Sequence, residues 1–259
     1  MTFDQLIAGG FLVNSTSEPV FVPFVSELML RAIVEKLNSS LGLTTSTRRL
    51  VEHLKLLLDV LGVNFEYHLF EKLLIYWELV RRNCTDLYSQ KFRSISVAEY
   101  FQSTHSAGNL TKARINVVDS LTDARAFPKN EGGQEYVPRP ETPELTNYAW
   151  YPSATNFPGF DFALFMQRVH PPPGAFNVLP VVVQAKFSEQ DSSTSLNIKT
   201  VNAAYERTRA IMHGSGWGDN WVLVFAAWRG VNKNVLENLP NNVIVLTRTA
   251  LAHNLGCLG

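Results

Sequence analysis

Asp161, Gln184 and Lys186 are the residues of this chain whose types and spacing could do chemistry. They fall within the stretch Asn156 to Glu189, where two apolar runs of strand length flank His170-Pro-Pro-Pro-Gly174. Such a run–turn–run pattern is a hairpin signature. Gln184 and Lys186 are two apart and therefore project from the same face of their strand. A carboxylate, an amide and an ammonium on one sheet face are costly to bury unless they bind something. A divalent cation is the natural ligand. Mg²⁺ or Mn²⁺ takes hard oxygen donors, commonly one or two carboxylates, and completes its shell with water and phosphate oxygens. On that reading Asp161 is the principal ligand, and the Gln184 side-chain oxygen or the Ala185 carbonyl is a second. Lys186 would orient or help deprotonate an attacking water and stabilise charge on a phosphate. A further acid, Glu71 or Glu66, could reach the same point from a helix.

The elements that must hold these groups follow from hydrophobic periodicity. Residues 1 to 22 read as a helix end, Gly9-Gly10 and a short antiparallel hairpin. Apolar stripes at helical spacing predict helices over Leu28–Leu37, Leu50–Leu61 and Phe65–Arg82, with a shorter one at Val97–Ser103. Ala113 to Val118 could be a strand, and Asp123 to Glu144, rich in Pro, Gly and Glu, reads as an exposed loop. Tyr148 to Tyr151 then begins a sheet that continues into the hairpin. A helix follows over Leu196 to His213, with Lys199, Arg207 and Arg209 on its polar side, where they could face a DNA backbone. Trp221 to Trp228 is a continuous apolar strand, Val243 to Thr247 a last strand, and Ala250 to Leu255 a closing helical turn. A helical first half followed by strand, strand, helix, strand, strand is an α/β layered architecture.

Composition narrows the function classes. The chain has 259 residues, 46% hydrophobic and 18% charged, with equal numbers of acids and bases. It can bury a sizeable core, and its net charge of zero favours neither nucleic acid nor membrane in bulk. The charge is nevertheless segregated. Ile115 to Ser192 carries nine acids and five bases, whereas Asn197 to Arg248 carries six bases and three acids. Two cysteines, Cys84 and Cys257, form neither a metal-ligand pattern nor a disulfide framework, which favours a reducing compartment. The N-terminus has no basic segment followed by a long apolar one, so an intracellular location is expected.

The hairpin wording carries a resemblance. Asp161 followed at hairpin distance by Gln184-Ala-Lys186 looks like the PD-(D/E)XK nuclease superfamily, with Gln in the usual Asp or Glu position. Trp150-Tyr-Pro, Asn156-Phe-Pro-Gly-Phe-Asp161 and Val-Gln-Ala-Lys186 together resemble the nuclease-like module of Crinkler effectors and trypanosomatid retrotransposon hot spot proteins. Residues 8 to 26 resemble the end of the P-loop ATPase that precedes that module in those families. The resemblance implies a restriction-endonuclease-like α/β fold, a mixed sheet flanked by helices with an N-terminal helical extension. It divides the chain into an upstream remnant (1–24), a helical region (25–110) and a nuclease-like core (111–259). It also implies Mg²⁺- or Mn²⁺-dependent DNA cleavage by Asp161, Gln184, Lys186 and the helical acid Glu71, in a nucleus reached by secretion. Gln184 brings no charge to the site, so the alternative is a degenerate relative that binds DNA or a host nuclear protein without cutting.

Overall fold

A computed structural model describes residues 67–85, 94–117, 121–153, 157–187 and 195–255, with short pieces at 13–14, 19–20, 52–53 and 55–56. The predicted helices over Leu28–Leu37 and Leu50–Leu61 lie outside these residues, apart from the short helical pieces at 52–53 and 55–56. Near the start, β1 (Val13–Asn14) pairs antiparallel with β2 (Pro19–Val20), as the sequence predicts. Helix α1 (Tyr67–Thr85) matches the third predicted stripe. Strand β3 (Ile95–Ser96) leads into α2 (Val97–Tyr100), whose start is a capping box. The Ser96 hydroxyl accepts from the Glu99 amide, and the Ser96 amide donates to Glu99 Oε2 at 2.7 Å. Together they satisfy amides that a helix end leaves without partners.

The centre is a mixed seven-stranded sheet. It comprises β4 (His105–Ala107), β6 (Asp123–Ala126), β7 (Tyr148–Tyr151), β8 (Phe162–Gln167), β9 (Val178–Phe187), β10 (Val222–Trp228) and β11 (Val243–Leu246). The short β5 (Arg114–Ile115) pairs with β3 and makes an isolated antiparallel bridge from Ile115 to Arg168, just past β8. Across the sheet the order is β4-β11-β10-β9-β8-β7-β6. Strands β7, β8 and β9 are joined antiparallel, and β9, β10 and β11 run parallel. Parallel neighbours need a crossover, and α3 (Ile198–Gly214) supplies it between β9 and β10. Short α4 (Lys233–Glu237) lies between β10 and β11, and α5 (Arg248–Leu255) closes the described chain.

Alternation along the strands sorts the core into two layers. Phe162, Leu164, Val181, Val183, Val222 and Val224 pack with Phe70, Leu73 and Trp77 of α1 and Leu251 of α5. Ala163, Phe165, Val182, Leu223 and Phe225 face the other way, onto Val201, Ala204 and Met212 of α3. Helices therefore cover both faces, which is why β10 is apolar at almost every position.

Two expectations need correction. The stretch Asp123 to Glu144 is not simply an exposed loop: it contributes β6, an edge strand parallel to β7, and buries Phe127 and Val137. Strand β4, antiparallel to β11, forms the opposite edge within a region that reads as irregular. Both edges are short and polar, Asp-Ala-Arg-Ala and His-Ser-Ala, and so lack the apolar alternation that marks a strand. Short polar edges are the usual guard against edge-to-edge association.

Candidate functional site

Asp161 sits one residue before β8, at the sheet end where β9 and β10 finish. The loop that delivers it is clamped from two sides. Gly159 adopts φ +103°, and a Cβ there would lie 3.1 Å from Ile211 Cδ1 and 3.2 Å from Thr208 Oγ1 of α3. Only glycine lets the backbone pass this close to the helix in that conformation. Phe160 is buried in T-shaped contact with Phe157 and Phe127, at ring distances of 5.4 and 6.1 Å. Asp161 then extends the hairpin ladder with its amide, which donates to the Val183 carbonyl at 2.8 Å. Its side chain replaces the next backbone acceptor: Oδ2 takes the Ala185 N–H at 2.6 Å. That bond fixes the carboxylate and leaves Oδ1 for a cation or another donor.

On β9, Gln184 and Lys186 share the strand face that Val182 turns toward α3. Gln184 is only 6% exposed, and its Oε1 is buried with no hydrogen-bond donor. An orphaned buried acceptor costs about 1–3 kcal/mol. Lys186 is half-buried, and burial lowers the pKa of its ammonium. Asp161 and Glu71 counter that effect, while Arg229 and Arg207 reinforce it.

Glu71 comes from the first part of α1, beside Phe70, whose ring meets Trp228 at the end of β10 with centroids 6.3 Å apart. Burial raises the pKa of the Glu71 carboxyl and Lys186 pulls it back down. Asp161 is displaced further, to about 7, first by burial and next by the Glu71 charge, against the Ala185 N–H and Lys186. Asp161 and Lys186 thus each feel the other and Glu71, and Glu71 feels Lys186. Glu71 is the helical acid that the structure brings to Asp161; Glu66 lies outside the described residues. Among the described residues no cluster of three or more His, Cys, Asp or Glu side chains could hold a metal. The donor set that is present is two carboxylates and the orphaned Gln184 oxygen. All three are hard oxygen donors, and they fit Mg²⁺ or Mn²⁺ chemically.

The basic residues of α3 separate. Lys199, Arg207 and Arg209 are all exposed, and the helical repeat puts Arg207 and Arg209 about 80° to either side of Lys199. Only Arg207 acts on Lys186. Arg209 instead meets Asp219 at 3.4 Å, alongside His213 at 2.9 Å from the same carboxylate. Arg229 belongs to the site but has no motif in the sequence to mark it. It follows an apolar strand, and only the register of β10 against β9 reveals its neighbour. A groove of about 610 Å³ opens on the far side of the Phe157–Pro158 loop, lined by Tyr136, Ile211 and Ser215 among others. None of Asp161, Gln184, Lys186 or Glu71 lines it.

The arrangement defines an α/β protein with two acids and flanking cations at the end of a parallel strand pair. No family model, curated protein or solved structure matches the chain. No helix among the described residues is long and apolar enough to cross a membrane.

Proposed function

We propose that this chain is a divalent-metal-dependent phosphodiesterase of the restriction-endonuclease-like kind, acting on DNA. The observation that carries the reading is the coupling of Asp161, tied to the Ala185 N–H at 2.6 Å, with Glu71 and Lys186. An acid at the head of one hairpin strand, an x-Lys pair on the next and an acid from a preceding helix are the parts that the PD-(D/E)XK resemblance implies. Strand order supports the same reading, because the hairpin places the end of β9 beside the start of β8.

Asp161, Glu71 and Gln184 Oε1 would hold the cation, which when bound supplies Lewis-acid polarisation of a phosphate oxygen and acidifies water. The protein's own part is positional and electrostatic. Asp161 is held in place through its bond to the Ala185 N–H. Lys186, its pKa lowered by burial, presents an ammonium to developing phosphate charge and would orient the attacking water.

A second reading is favoured by Gln184 itself. An amide brings no charge where a third carboxylate would bind a cation more tightly, and a module that binds DNA without cutting would tolerate that. Plasmid nicking with Mg²⁺ or Mn²⁺, comparing the parent chain with Asp161→Ala and Lys186→Ala, separates the two. The phosphodiesterase reading expects metal-dependent nicking that falls by about 10²- to 10⁴-fold in each variant. Nicking unchanged in either variant removes that residue from the mechanism. DNA binding with no nicking by the parent chain leaves the binding module.

A further inference from the structure

Arg229 follows β10 directly, and its environment has no structural explanation within the fold. Strand β10 pairs with β9 so that Ala227 lies opposite Lys186 and Trp228 opposite Phe187. Leu223, Phe225 and Ala227 face α3, so the alternation carries Arg229 to the side that Lys186 occupies. Trp228 fixes this orientation from the opposite layer, where it packs against Phe70 and under the Arg248 guanidinium at 5.5 Å. The Arg229 side chain is half-buried, and its Nε is shut off from solvent without an acceptor. Burial lowers its pKa with no carboxylate balancing it among the described residues. A guanidinium left in this state is destabilising unless a ligand supplies oxygens to its N–H groups.

We infer that Arg229 is the phosphate-binding fork of this site, taking two oxygens of one DNA phosphate next to Lys186. The chemistry it selects is a tetrahedral oxyanion. A planar fork of N–H donors matches two phosphate oxygens at once, which a lysine ammonium cannot reproduce. Two cations side by side repel in the free protein, and a phosphate between them relieves that repulsion. Lys186 also feels the acids Asp161 and Glu71, so a phosphate bound by Arg229 beside Lys186 would border the proposed cation site. The inference rests on the phosphodiesterase reading for its substrate, but its own test does not require cutting.

Binding of a short labelled duplex to the full chain is measured in EDTA, where no metal-dependent cutting occurs, with inorganic phosphate as competitor. Arg229→Met should weaken duplex binding by about tenfold or more, since hydrogen bonds to charged groups are among the stronger ones. Arg229→Lys should recover only part of that loss. Arg229→Met should also melt at or above the parent temperature, because an unpartnered half-buried charge is gone; a merely structural arginine would lower it. Phosphate should compete against the parent chain and not against Arg229→Met. Competition at equal strength against both, or duplex binding by Arg229→Met equal to the parent's, overturns the assignment. Should Arg229→Met fail to fold, the Lys variant decides, and parent-like binding by it refutes the fork. A parent chain that binds through Arg229 and never cuts sinks the phosphodiesterase reading and leaves Arg229 standing.

Discussion

Asp161 couples the chemistry of the site to the stability of the fold. Its pKa rises from 3.8 to about 7 on folding, chiefly through burial. The folded state therefore keeps a proton that the unfolded chain releases, and stability falls as pH rises from about 4 to about 7. Above that window the full cost, on the order of 4 kcal/mol, is present. Asp161→Asn keeps an acceptor for the Ala185 N–H and removes the titration. Urea unfolding at pH 5 and pH 8 should show the parent chain losing stability between the two, and Asp161→Asn losing much less. Glu71, also raised by burial, adds a slope of the same sign. Gln184 gives a second test. Gln184→Met removes an orphaned buried acceptor and should raise stability by about 1 kcal/mol while abolishing any thermal shift produced by Mg²⁺. Gln184→Glu should enlarge that shift at pH 8, because a charged donor replaces a neutral one. A Mg²⁺ shift identical in all three proteins would exclude Gln184 as a ligand. Asp161, Gln184 and Lys186 are legible in the sequence because charged and polar residues interrupt apolar strand runs. Glu71 is not distinguishable there from Glu66, since both fall in one predicted helical stretch, and it is the packing of α1 that brings Glu71 to Asp161. Arg229 is invisible for a related reason: its partner is set by strand register, which no local spacing encodes.

The elements divide into those that aim the site and those that hold the layers. The approach to Asp161 depends on Gly159, whose φ of +103° and tight passage against Thr208 and Ile211 admit no side chain without movement. Gly159→Ala should cost about 1–3 kcal/mol from backbone strain alone. It should also reduce nicking more than the stability loss explains, because the Asp161 carboxylate would shift from the Ala185 N–H. A variant that melts lower yet cuts as well as the parent chain would show that the clamp only stabilises. Far along α1, Glu78 accepts the Tyr100 hydroxyl at 2.6 Å and pairs with Arg81 at 2.9 Å, and the Arg81 guanidinium lies 3.8 Å over the Tyr100 ring. Burial first and the Glu78 charge push the Tyr100 phenol up to about 12. This group fixes α2 to α1 and includes none of Asp161, Glu71, Gln184 or Lys186. Tyr100→Phe should destabilise by about 1–3 kcal/mol and leave Mg²⁺ binding unchanged, as calorimetry would report. Helix α3, strand β10 and the hairpin are legible because their apolar patterns are long. Strands β4 and β6 are not, since an edge strand needs little apolar surface and owes its place to a neighbour already formed.

At the scale of the whole molecule, zero net charge conceals a local field. Lys186 feels the acids Asp161 and Glu71 and, against them, the cations Arg229 and Arg207. On the proposed reading, nucleic-acid affinity would come from this flank and not from bulk attraction. Neutralising one phosphate with each of Lys186, Arg229 and Arg207 would release about three counterions' worth of salt dependence, a slope of log K against log salt near −3. Proteins that bind through a broad basic face show much steeper slopes, so the expected value is itself diagnostic. Arg207→Ala should flatten the slope by about one. Arg209→Ala should not change it, because Arg209 is directed at Asp219 with His213. Titrations of a labelled duplex between low and moderate salt would measure all three slopes. A steep slope in the parent chain, or an equal effect of Arg207 and Arg209, would place the nucleic acid along the whole of α3. Lys186 and Arg229 at the ends of β9 and β10 would then not be its main contact.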